Sequence, residues 1–175
     1  MRRAFLAGTI LALVLAACGG SMSETEYVEG LNDLVATATP RFEASGATYA
    51  AIEEPTAADL VARVEREITI MYDVRQLFDE LDPPDSIEGV HGIMVGILTD
   101  LIATAEALVD RVDRAGSLQE AETTAEYAAY QAVNAESDSR CPEVQARFDE
   151  LSNRAVIDDP WIKDLRLTVQ AFLDC

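Results

Sequence analysis

Apolar side chains recur at intervals of three and four along most of this chain, a spacing typical of amphipathic α-helices. The pattern runs through residues 27–42, 60–81 and 90–112, and continues more weakly through an alanine-rich stretch that ends near residue 134. No segment alternates apolar and polar residues as a half-buried strand does. We therefore predict an all-α fold, an up-down bundle of long helices in a single domain over residues 23–175.

Short polar motifs indicate where these helices begin. A capping box, Ser-Glu-Thr-Glu, occupies residues 23–26, and a second one, Ser-Leu-Gln-Glu, occupies residues 117–120. The segment Pro55–Asp59 predicts the start of the second helix. Either Asp85 or Ser86 is expected to cap the third helix.

Proline and glycine indicate where the helices end. Pro83 and Pro84 cannot continue a helix, so the second helix should stop just before them. Pro40 interrupts the first apolar series and should either kink that helix or end it near Thr39. Gly116 is the predicted C-cap of the third helix.

The first seventeen residues have the layout of a secretory signal, with Arg2 and Arg3 followed by an apolar run. The run closes with Leu-Ala-Ala-Cys at residues 15–18, and this stretch resembles the lipobox of bacterial lipoproteins. The resemblance implies that Cys18 carries diacylglycerol, that the chain is cut before it, and that its new amine is acylated. An ordinary cleaved signal peptide or an uncleaved anchor are the alternatives.

The lipobox resemblance divides the chain into a signal peptide (1–17), a lipid-anchored tether (18–22) and the helical domain. The plan is similar to that of small acidic helical lipoproteins of the cell envelope, held on the extracytoplasmic face of the cell membrane. Residues 90–102 are apolar on more than one face, but at the sequence level they fall short of the roughly 20 residues of a membrane span.

The mature chain is strongly acidic. All 32 acidic residues lie after residue 17, whereas Arg2 and Arg3 leave with the signal, so that 11 basic residues and a formal charge of −21 remain. Such a surface repels nucleic acid and anionic lipid headgroups. We expect no nucleic-acid partner.

Cys141 and Cys175 are the two cysteines left after Cys18 is lipidated. Cys141-Pro142 and Asp159-Pro160 each predict the start of a helix of similar length. In an antiparallel pair of equal helices, Cys141 and Cys175 would meet, and their disulfide would close a C-terminal helical hairpin with about 3–4 kcal/mol of stabilisation. Two free thiols or an intermolecular bridge are the alternatives.

His91 is the only histidine, and it suggests two metal sites. Glu88-x-x-His91 has the spacing of ferritin-like di-iron bundles, although a second histidine is lacking. Gly89-x-His91 resembles the motif of imelysin-like periplasmic proteins, but Met94 stands where that motif has glutamate. The simpler interpretation is that His91 packs in the first turns of the third helix.

Gly89, Gly92 and Gly96 follow one another at intervals of three and four in the same segment. Each lowers helix propensity by about 1 kcal/mol relative to alanine, so a structural or functional reason is expected. Close approach of another helix is one interpretation, and a ligand groove against bare backbone is the other.

The sequence favours a binding or structural protein over an enzyme. We find no nucleophile elbow, no glycine-rich phosphate loop and no calcium loop in it. We expect no cofactor and no catalytic residues, and we expect the partner to be an envelope protein or a small ligand. The alternative is a metal-handling protein that uses His91 and nearby carboxylates such as Glu88.

Overall fold

The computed structural model describes residues 21–112 and 114–140, together with positions 142, 143, 146 and 147. Within this part of the chain the fold is helical, and no strand is formed. The helices are α1 (Glu24–Ala50), α2 (Ala57–Glu80), α3 (Glu88–Val112), α4 (Leu118–Glu122) and α5 (Ala125–Ser139). The all-α prediction is confirmed for these residues. All three cysteines lie outside them, so the lipid site at Cys18 and the disulfide-closed hairpin stay predictions.

Contacts at the helix ends set the topology. The backbone N–H of Met22 donates to the carbonyl of Asp82 at 2.9 Å, which puts the start of α1 beside the end of α2. Arg111 and Glu126 lie 3.9 Å apart, so the end of α3 meets the start of α5. Packing of α1 on α2, α2 on α3 and α3 on α5 completes an up-down arrangement. The short helix α4 lies in the connection between α3 and α5.

The core runs between these helices and is centred on α3. Tyr27 and Phe78 are its largest fully buried side chains. The buried residues of α3 are Val90, Met94, Ile97, Leu98, Ile102, Ala105, Leu108 and Val112. They lie at intervals of three and four, with neighbours at 97 and 98, so α3 is covered over a broad face.

Local capping confirms the predicted starts of α1 and α2. Ser23 and Glu26 form the complete capping box, and Thr56 with Asp59 forms an equivalent one. At α4 only half of the predicted box forms, because Ser117 accepts from the Glu120 N–H while the Glu120 carboxylate does not return to it. That carboxylate accepts the N–H of Gly116 at 2.9 Å instead.

Two of the predicted helix limits at α3 are wrong. Gly116 is not its C-cap, because α3 ends at Val112 and the N–H of Gly116 is held by Glu120. Neither Asp85 nor Ser86 caps the N-terminus of α3 in the contacts we observe. The carbonyl of Pro84 accepts from the N–H groups of residues 87 and 88, at 2.8 and 3.1 Å. The chain at Pro83 and Pro84, the proline corner, therefore starts α3 through its backbone.

Pro40 does not end the first helix, which continues to Ala50. A proline inside a helix removes one backbone donor and leaves the carbonyl four residues earlier, here Ala36, without its helical partner. Both residues are exposed, so water can satisfy that carbonyl. Phe42, which we placed on the buried stripe of α1, is 36% exposed, and Ser45 takes the buried position further along.

The predicted fourth helix is divided in two. The buried hydroxyl of Thr124 donates to the carbonyl of Ala121 at 2.7 Å and accepts from the N–H of Tyr127 at 3.1 Å. These bonds end α4 and begin α5. The alanine-rich composition gave no sign of this break.

One helix among the described residues, α3, is long and apolar enough to cross a membrane, with a mean hydropathy of 1.7 over its best window. We expected no such segment after residue 17, because residues 90–102 are shorter than a membrane span and contain His91 and Asp100. Core helices of water-soluble proteins have the same length and composition. In this fold 33% of that window is buried against the rest of the described chain.

The glycines of α3 do not mark a close approach of another described helix. A Cβ built on Gly89 or Gly92 meets no described atom within 4 Å, and one on Gly96 meets only the end of the Arg140 side chain, at 3.9 Å. The tight contact lies elsewhere, at Gly30 of α1, where a Cβ would come within 2.6 Å of the Leu81 side chain.

Gly92→Ala should raise the free energy of unfolding by up to about 1 kcal/mol, because alanine favours the helix and the added methyl meets no described neighbour. Gly30→Ala should gain less, since Leu81 must move to admit the methyl. Urea unfolding of both variants measures this. A loss of stability in Gly92→Ala would contradict the open surroundings of that position.

Candidate functional site: the His91 corner, the Glu67 network and the α1–α2 groove

His91 lies at the proline corner and is held by two aromatic residues. Its Nδ1 is 2.8 Å from the hydroxyl of Tyr27, and the two groups share a hydrogen bond between α3 and α1. The ring also meets Tyr27 and Phe78 edge to face, with centroids 5.8 and 5.6 Å apart. His91 therefore joins the first turns of α1 and α3 to the last turn of α2.

The electrostatics of this corner favour neutral side chains. Burial raises the pKa of the Tyr27 phenol, so that its O–H stays protonated. Burial, and then the positive charge of Arg75, lower the pKa of His91, against a smaller opposing effect of Asp79. Both pKa shifts agree with a neutral imidazole whose Nδ1 accepts a hydrogen bond from the Tyr27 hydroxyl.

The predicted metal ligands are not brought together with others. Glu88 is exposed, and Met94, at the position where the imelysin-like motif has glutamate, is only 1% exposed in the core. No group of three or more histidine, cysteine, aspartate or glutamate side chains able to hold a metal ion occurs among the described residues. Within them, the metal-handling alternative rests on His91 and Glu88 alone.

A buried carboxylate, Glu67, forms the centre of a second polar cluster, the Glu67 network. Arg63 donates to one carboxylate oxygen at 2.8 Å, and the hydroxyl of Tyr130 donates to the other at 3.0 Å. The Arg63 guanidinium also lies over the ring of Tyr49, 5.3 Å from its centroid. The network therefore ties α1 and α5 to α2.

The Glu67 side chain is satisfied at both oxygens, which is what a buried charge needs to be tolerated. Burial, and then the charge of Glu67, raise the pKa of Tyr130, so its O–H remains a donor. Sequence analysis missed this residue. The available signal was its place in the apolar spacing of α2, three residues after Val64 and four before Met71.

A groove of about 390 Å³ lies between the second half of α1 and the middle of α2. Its lining residues are Arg41, Ala44, Ser45, Thr48, Arg66, Thr69 and Ile70. The groove is open to solvent rather than an enclosed cavity, and its volume is at the lower end of the range of small-ligand sites. Sequence analysis also missed the groove, since its residues are contributed by two helices that meet only in the fold.

Two features of the groove are chemically distinctive. Arginines border it on both helices, at Arg41 and Arg66, in a chain whose formal charge is −19. Ser45 is 4% exposed, and its hydroxyl has no hydrogen-bond partner in the described part of the chain. Buried polar groups without a partner are rare in folded proteins.

Comparison of the chain with models of protein families, with curated proteins and with solved structures finds no match.

Protonation of His91 should destabilise the fold. Because its pKa is lowered in the folded state, the unfolded chain binds the proton more readily, and stability present above about pH 6.5 is lost as the pH falls. Urea unfolding of the wild type and of His91→Gln over a pH series isolates this effect from that of the many carboxylates. The stability advantage of the wild type should shrink toward lower pH, and a constant or growing advantage would contradict it.

Tyr130→Phe should lower the free energy of unfolding by about 1–3 kcal/mol, because it leaves a buried carboxylate oxygen of Glu67 without its donor. Tyr72→Phe is the matched control, since Tyr72 is 50% exposed and donates to Glu106 at the surface. The control should change stability by less than about 0.5 kcal/mol. Equal losses in the two variants would refute a special role for the Glu67 network.

Proposed function

We propose that this protein is a lipid-anchored binding module on the extracytoplasmic face of the cell membrane, a non-enzymatic helical bundle of the cell envelope. The observation that carries the proposal is the Leu-Ala-Ala-Cys run at residues 15–18 behind a basic and apolar leader. A diacylglycerol on Cys18 supplies two acyl chains, which anchor a protein stably where one chain does not.

The attachment of the tether to the bundle supports this proposal. Met22 is half-buried, and its N–H is bonded to the carbonyl of Asp82 at the proline corner. Residues 19–21 are the only ones between this bond and Cys18, and they span about 10–15 Å when extended. An anchor on Cys18 would hold the bundle by the end that contains the starts of α1 and α3.

The dimensions of the bundle then determine which surface faces partners. The 27 residues of α1 span about 40 Å, so its far end would lie well away from the anchor. The acidic surface repels anionic headgroups, which favours a bundle that stands off the membrane. The far half of α1 and α2, with the α1–α2 groove, is the surface open to an envelope protein or a small ligand.

Cys18→Ser should abolish incorporation of a clickable fatty acid and leave the precursor uncut, because the thiol that accepts the lipid is gone. Labelling in cells, followed by fractionation and intact mass measurement, tests this. Cys141→Ser is the matched control and should be labelled and membrane-bound like the wild type. Unchanged labelling of Cys18→Ser would end the lipoprotein proposal.

The orientation has its own test in proteoliposomes that carry spin-labelled headgroups. The spin labels should broaden the NMR signals of residues at the proline corner, such as Ser86, more than those of the α1–α2 connection, such as Glu54. The reason is that the proline corner lies near the tether. Equal broadening at both ends would indicate a bundle that lies flat on the membrane.

A further inference from the structure

We propose that the α1–α2 groove binds a small organic anion, with a carboxylate or phosphate group held by Arg41 and Arg66 and by the hydroxyl of Ser45. The inference deepens the proposed function by naming a ligand class for the binding module, and the distance of the groove from the membrane rests on that function.

Both arginines have N–H groups that donate to no other described residue. Arg66 makes no hydrogen bond or ion pair with any described residue, although acids greatly outnumber bases in this chain. Arg41 pairs with Asp73 through one guanidinium nitrogen at 2.6 Å, which leaves its other N–H groups available. The planar guanidinium matches the oxygen pairs of carboxylate and phosphate groups, so an anion is the ligand that both side chains recognise.

Ser45 supplies the independent evidence for a ligand. Its hydroxyl is buried at the groove with no acceptor among the described residues, a condition that costs free energy in an empty protein. A serine hydroxyl turns on a single side-chain bond, so it can reorient toward an oxygen seated on the groove floor. An anion oxygen would supply the acceptor that the fold does not.

The remaining lining residues describe the rest of the ligand. The hydroxyls of Thr48 and Thr69 already donate to carbonyls of their own helices, at 2.7 and 3.0 Å. Their oxygens can therefore only accept, which suits an N–H or O–H of the ligand. Ile70 and Ala44 add apolar surface. The fitting class is a small acid that also has a hydrogen-bond donor and a short apolar part.

The position of the groove favours a free solute over a lipid headgroup of the anchoring membrane. Ser45 lies 21 residues after Glu24 in α1, which corresponds to about 30 Å along the helix. The proposed lipid anchor lies at the opposite end. Headgroups of that membrane would not reach the groove of a bundle that stands upright.

The test uses the full-length protein purified in nonionic detergent and follows the Ile70 methyl and Arg66 Nε–H signals by NMR. N-acetylleucine is the probe, and its neutral amide, N-acetylleucinamide, is the matched control ligand. The acid should shift both signals saturably at millimolar concentrations, inorganic phosphate should compete with it, and the neutral amide should not bind. Equal binding of acid and amide, or no saturable shift, would overturn the proposal.

Charge-matched variants separate the groove from the overall charge. Arg66→Gln should weaken binding about tenfold, the effect of losing a hydrogen bond to a charged group. Arg114→Gln removes the same charge at an exposed site outside the groove and should change affinity less than about twofold. Equal losses in the two variants would show that only net charge matters and would refute the site.

Ser45→Ala distinguishes a ligand contact from a structural hydroxyl. Since the hydroxyl has no protein partner, its removal should leave the melting temperature of the unliganded protein unchanged or higher while it weakens binding. A lower melting temperature with unchanged affinity would assign Ser45 a purely structural role and overturn its part in the site.

Phosphatidylglycerol mixed into the detergent micelles tests the source of the anion. It should not compete with N-acetylleucine, and competition would identify the ligand as a lipid headgroup instead of a free solute. Failure of these binding experiments is distinguishable from failure of the lipid anchor, because binding is measured in detergent whether or not Cys18 is acylated, whereas fractionation reports on the anchor alone. A saturable, Arg66-dependent shift with the acid is the decisive supporting result.

Discussion

The apolar surface of α3 is the constraint on which the arrangement of the other helices depends. Its buried residues extend from Val90 to Val112, and α2 and α5 both pack against it. A helix that is apolar over a broad face must be covered on more than one side, because water would otherwise meet that surface. The first helix packs on α2 and meets α3 where Tyr27 bonds to His91. The up-down order follows from short connections between helices that share this core.

The charges of the chain act against this compact arrangement, and nearly all of those on described residues lie outside the core. Ion pairs such as Arg41–Asp73 and Arg75–Asp79 lie at the surface, where each contributes between about 0 and 1 kcal/mol. Glu67 is the buried exception among the described residues. Its two bonds come from different helices, so the charge fixes the position of α5 against α2 where alanine-rich α5 offers few large apolar side chains.

The sequence predicted what depends on local chemistry and missed what depends on contacts between helices. The starts of α1 and α2 were predictable because a capping residue such as Thr56 bonds to groups three residues away. The break at Thr124 was not, since a threonine hydroxyl that bonds its own backbone reads as an ordinary helical residue. Pro40 does not end α1, where the freed carbonyl of Ala36 is exposed to water. Glu67 and Ser45 are buried through packing between helices, which the sequence does not show.

An acidic chain can still hold a groove that attracts anions, because electrostatic forces at the surface have short range. At physiological ionic strength the Debye length is about 8 Å, so an anion in the α1–α2 groove responds chiefly to the charges within that distance. Arg41 and Arg66 border the groove directly; Asp73 pairs with Arg41, whereas no carboxylate pairs with Arg66 among the described residues. The many carboxylates on the other faces keep anionic polymers and headgroups at a distance, while a small anion that reaches the groove meets two guanidinium groups. The same surface can therefore exclude large polyanions and admit a small one.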